Sequence, residues 1–129
     1  MKKFILSLLL AIFAAHTLAL SLGWYYSMWW FDIPMHIAGG VWVASAFFYI
    51  ARERRILPAN PIAAFLFCHG IVALIGELWE FYEFLADIYV FHTYTPLAAP
   101  GGLHFDTLKD LFDDLVGGSV ATLLLLRRK

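Results

Sequence analysis

The side chains best able to do chemistry in this chain are carboxylates set at helical spacing. Asp32 and His36 stand four residues apart, Glu77, Glu80 and Glu83 three apart, and Asp106, Asp110 and Asp114 four apart, with Asp113 on the edge of that last stripe. Residues three or four apart share a helical face, so at least two of the three glutamates should point into a helix bundle together. Carboxylates gathered at close range repel one another and must be partly protonated, paired with histidine or neutralised by a cation. A divalent metal ion meets that need. Carboxylates with an imidazole suit Zn, Mn or Fe, whereas an all-oxygen subset suits Mg or Ca. The expected ligands are His36, Glu80, Asp106 and Asp110. Glu77, Glu83 and Asp114 are then the carboxylates for acid–base work on a metal-activated water.

Plainer readings exist for several of these residues. Asp32, just before Pro34, and Asp106, just before Thr107, would also serve as helix N-caps. Glu83 and Asp87 would also serve as solvated surface acids. His16 and His69 lie on apolar stretches away from the acids and are expected to form interhelical hydrogen bonds. His92 and His104 fall in a loop that could cover the site. The single Cys68 excludes an intrachain disulfide and reads as a small buried hydrophobe. Gly101-Gly102 has neither a Walker lysine nor a Gly-x-x-Gly spacing after it, and no nucleophile–base motif is visible.

The elements that must position these acids follow from composition. Of 129 residues, 62% are apolar and only 15% charged, which is too apolar for a water-soluble domain. The net charge of -1 gives no reason to expect nucleic acid as a partner; the expected partner is membrane lipid. Trp24-Tyr25-Tyr26 and Trp29-Trp30-Phe31 form an aromatic belt typical of a headgroup boundary. A bilayer core about 30 Å thick takes about 20 helical residues. Phe4 to Leu22 and Ile33 to Ala51 meet this directly. The helices starting near Ile62 and ending at Leu126 span only if their carboxylates enter the membrane. Lys2-Lys3 and the apolar run from Phe4 could also form a signal peptide, but the small-x-small pattern around Thr17 to Ala19 is poor, which favours an uncleaved first helix. The basic residues are read as three groups: Lys2-Lys3, Arg52 with Arg54 and Arg55, and Arg127 to Lys129. Only four crossings put all three on the cytoplasmic side. The expected fold class is therefore all-α, one integral membrane bundle of four transmembrane helices near 4–22, 33–51, 62–90 and 107–126, with both termini cytoplasmic. Rise per residue then puts Glu77 about 22 Å, and Asp113-Asp114 about 18 to 20 Å, from the inner surface, so the acids share a layer in the outer half. Gly39-Gly40, Gly76 and Gly117-Gly118 lie near them and would let the helices approach closely.

The order Asp32-x3-His36-x3-Gly40, Arg52-Glu53, Trp79-Glu80-x2-Glu83 and Asp106-Thr107-x2-Asp110 with a following Gly pair resembles the YjdF-like inner-membrane proteins of bacteria, over roughly residues 32 to 118. Asp110-x3-Asp114-x2-Gly117 is more weakly similar to the last helix of VanZ-like proteins. The resemblance implies a multi-pass bacterial inner-membrane protein and singles out His36, Glu80, Glu83, Asp106 and Asp110; it implies no reaction. Three functions are open at this point. The first is a metal-dependent enzyme on a lipid-linked or periplasmic substrate, and the second a proton- or cation-coupled transporter acting as a homo-oligomer. The third is a structural partner subunit.

Overall fold

The computed structural model describes residues 1–92 and 103–127; of the side chains in that range, those of Leu103 and His104 are left aside. The described residues form helices, with no strand among them: α1 (Lys2–Leu22), a single short turn α2 (Trp24–Ser27), α3 (Asp32–Glu53), α4 (Pro61–Ala86) and α5 (Leu103–Leu126). α4 runs on into a π-helical turn, Asp87–Phe91.

Local chemistry sets most of the boundaries. α1 stops at Gly23, whose left-handed backbone (φ 67°) returns its N–H to the carbonyls of Ala19 and Leu20. α3 carries Pro34 in its first turn, where a missing N–H leaves no bond unmade. Its far end closes on Arg55 (φ 58°), after which the Ile56 N–H bonds back to the Ala51 carbonyl at 2.9 Å. The Asn60 side chain caps α4 by accepting from the N–H groups of Ile62 (2.9 Å) and Ala63 (3.1 Å), with Pro61 following at the first helical position.

Lys2–Leu22, Asp32–Glu53 and Pro61–Phe91 are long and apolar enough to cross a membrane. Leu6, Leu10 and Phe13 on α1, Leu66 and Leu74 on α4, and Phe112 and Val120 on α5 all face outward. A helical membrane protein is the reading these features support, since in lipid such side chains need no cover. α5 has sufficient length but is interrupted by Asp106, Lys109, Asp110, Asp113 and Asp114. It packs most extensively against α3 and next against α4, while α1 packs mainly on α3. Lys109 corrects the reading of three basic groups, because it adds a further base, at the opposite end of α5 from Arg127.

The α3–α5 contact depends on two glycines used reciprocally. A Cβ on Gly40 would overlap the backbone carbonyl of Asp114, and one on Gly117 would overlap the carbonyl of Ile37. Each helix therefore sets a glycine against the other's backbone, three residues from the point where its own backbone is met in turn. Beyond this crossing the interior is apolar: Ala44, Val72 and Ala121 pack with Val41, Val43 and Leu115, and Phe48, Cys68 and Thr122 are fully buried.

Candidate metal and substrate site

The start of α3, the end of α4, the start of α5 and the end of α1 meet at one end of the bundle, around a cavity of about 700 Å³. His36, 6% exposed, borders a smaller cleft beside this cavity. Its Nε2 lies 3.5 Å from Asp32 Oδ1 and 3.8 Å from Asp110 Oδ1, and its Nδ1 lies 3.5 Å from Asp114 Oδ1. One imidazole thus bridges acids from α3 and α5. Lys109, which the sequence reading passed over, is paired with Asp110, lies 3.5 Å from Asp32 Oδ2 and is 3.9 Å from Asp113 Oδ2. An ammonium already neutralises this side of the cluster.

Two sets of donors could hold a metal ion among the described residues: Asp32 with His36 and Asp110, and His36 with Glu80 and Glu83. Within each set the donor atoms lie within 4.8 Å of one another. The first set competes with Lys109 for the same carboxylates. The second has no such rival, and Glu80 Oε1 is buried with no hydrogen-bond partner among the described residues. A buried carboxylate oxygen without a partner is costly, and a cation would satisfy it.

The structure sorts the expected site residues by position. His36 stands with Asp110 in one donor set and with Glu80 in the other, which Glu83 completes. Asp114 is buried beside His36 and forms no part of either donor set, while Gly76, not Glu77, is the α4 residue that meets its side chain. Glu77 is exposed and faces the cavity. Asp106 is exposed on the cavity lining and belongs to neither donor set. α5 begins at Leu103, so Asp106 lies in its first turn and is not its cap; Asp32 likewise lies inside α3, whose cap position is Phe31.

The histidines outside the cluster also find their places. His69 bonds Ser119 at 2.8 Å across α4 and α5 and stacks on Phe65, an interhelical role. His16, expected away from the acids, instead lines the cavity. The α2 turn brings the Tyr25 hydroxyl to 2.8 Å from His16 Nδ1, and Trp79 meets the same ring edge-on at 5.8 Å. Burial, then the nearby Asp32 and Glu83, push the Tyr25 phenol well above its ordinary pKa, so it stays protonated and can donate. His92 is exposed and bonded to the Ile88 carbonyl, and the His104 side chain lies outside the described residues.

A family model described as "Predicted membrane protein (DUF2238)" matches residues 1–129. The chain belongs to the DUF2238 family. The YjdF-like proteins fall in this family, so their resemblance to the chain holds at family level. No curated protein and no solved structure matches the chain. In this DUF2238 chain the site must therefore speak through its own geometry.

Proposed function

We propose that this DUF2238 protein is a four-span protein of the bacterial inner membrane, both termini cytoplasmic, that works as a metal-dependent enzyme on a lipid-linked or periplasmic substrate. The observation that carries this reading is the convergence of His36, Glu80 and Glu83, the two glutamates lining an open cavity, with Glu80 Oε1 lacking a hydrogen-bond partner among the described residues. Asp114 at the Nδ1 side of His36 would fix the imidazole and leave Nε2 as the nitrogen for a metal, as carboxylates commonly do behind metal-bound histidines. A divalent ion held there would polarise a substrate oxygen or lower the pKa of a bound water. Glu77 lines the cavity outside the donor set, where a general base is needed.

Topology supports the same reading. The acid-bearing ends of α3, α4 and α5 converge at one end, as alternating crossings require, and α5 carries its acids into the bundle instead of towards lipid. A transport path is less well supported. Below His36 the interior includes the apolar cluster of Ala44, Val72 and Ala121, with Ser45, Thr122 and the His69–Ser119 pair as scattered polar groups among the described residues.

Elemental analysis of the intact protein in detergent tests the proposal. About one equivalent of a divalent transition metal is expected, lost in both His36→Ala and Glu80→Gln. Absence of metal from the parent protein, or parental metal content in either variant, overturns it.

A further inference from the structure

A second, smaller cleft of about 200 Å³ opens beside the cavity, between α1 and α4 over the α3 glycines. Most of its wall is apolar, with Leu9 and Ile12 from α1, Val43 from α3 and Ile75 from α4, and His36 and Asp114 border it where it nears the acids. His16, Tyr25, Asp32 and Glu83 line both spaces, so the cleft and the larger chamber adjoin at these side chains. α1 itself buries only Ala19, which leaves the cleft bordered by a loosely held helix.

The chamber rim has a different character. Glu77, Asp87 and Asp106 line it, none of them in a metal donor set. Tyr26, Trp29 and Tyr82 line it too, each more than half exposed. An aromatic belt alone accounts for the rings but not for acids among them. Carboxylates next to open aromatic faces form the usual receptor for an organic ammonium, which gains from both charge and the ring quadrupole. His16 is the sole basic side chain in the described lining, so the protein itself offers an anionic head little charge to pair with.

We propose that the chamber and cleft together bind a single amphiphile, its ammonium head in the acidic aromatic rim and its hydrocarbon chain in the α1–α4 cleft. This names the substrate class of the site above and rests on reading that chamber as the working site, but it needs no bound metal. A head at the outer boundary and a chain running inward match the depth at which a membrane lipid presents these two parts.

Tryptophan fluorescence gives the test, because Trp29 lines the chamber and Trp79 the cleft. The protein in maltoside micelles is titrated with decyltrimethylammonium, decyl sulfate and tetramethylammonium, each with and without chelator. Saturable binding of decyltrimethylammonium is expected, none of decyl sulfate, and binding of tetramethylammonium weaker by on the order of tenfold or more, since its burial of methylenes is lost. Ile12→Trp, which fills the cleft, should weaken decyltrimethylammonium alone, and retained tetramethylammonium binding shows that this variant is folded. Equal binding of decyl sulfate, equal affinity for tetramethylammonium, or an Ile12→Trp variant with parental affinity for the amphiphile each overturns the proposal. Chelator separates the two readings: a protein that holds no metal yet binds the amphiphile fails the first and keeps the second.

Discussion

α1 and α5 show opposite relations between apolar character and burial. α1 has no charged residue after Lys3, yet only Ala19 is buried. α5 is broken by four acids and a lysine, yet it packs against both α3 and α4 and buries Asp110, Asp113 and Asp114 along with Ala121 and Thr122. In water this order would be reversed. In lipid an apolar side chain gains nothing by leaving the hydrocarbon, whereas a carboxylate costs roughly 2.5 to 3.5 kcal/mol at mid-membrane and must find protein partners. The polar helix becomes the centre of the bundle, and the apolar one its outer wall.

The largest expected effect breaks the central position of α5. Gly117→Val would drive a side chain into the Ile37 backbone carbonyl, which cannot swing aside as a side chain could. A loss at or above roughly 3 kcal/mol, the upper part of the overpacking range, is expected in SDS-induced unfolding. Gly70→Ala is the control, because nothing lies within 4 Å of a Cβ there, and it should be neutral or slightly stabilising.

Removing the cation that makes α5's acids tolerable comes next. Lys109→Met leaves Asp32, Asp110 and Asp113 without their ammonium. Since the lysine side chain is 25% exposed, the expected cost is roughly 1 to 3 kcal/mol, below that of a fully buried pair. Adding Asp110→Asn to Lys109→Met should restore a measurable part of it in the same unfolding assay. Additive losses would show that the pair carries no interaction of its own.

How far these features could be read in advance depends on what fixes each one. The acids of α3, α4 and α5 announced a shared site because intramembrane carboxylates are too costly to be incidental. Rotation decided which of them turned inward. Glu77, Glu80 and Glu83 advance by about 300° per step of three, so they spread over about 120° and one end of the series turns away from His36. The spacing alone could not say that Glu77 was that end; the meeting of Gly76 with Asp114 decides it. Lys109 was legible in principle, since a lone base between Asp106, Asp110 and Asp113 is poorly placed for a cytoplasmic anchor and well placed for a counterion. His16 was not. Its link to the site runs through Tyr25, and that contact exists only because the chain reverses at Gly23 and makes one turn before α3.

The smallest effect tests the other side of the contrast, the attachment of α1. Its contact with α3 includes one directed bond, from Trp42 Nε1 to the Ile5 carbonyl at 3.1 Å. That carbonyl lies inside α1, where a backbone N–H four residues on already claims it, so the indole takes its second lone pair. Trp42→Phe keeps an aromatic ring against α1 and removes only the donor, and the expected loss of global stability is about 1 kcal/mol or less. The informative readout is local. If α1 is a wall that moves, hydrogen exchange should rise along α1 in Trp42→Phe while α3 and α5 keep their protection, because opening α1 does not require the glycine crossing to part. Uniformly faster exchange in all three helices would mean that α1 is part of the cooperative core, and its outward-facing surface would then be a poor guide to its role.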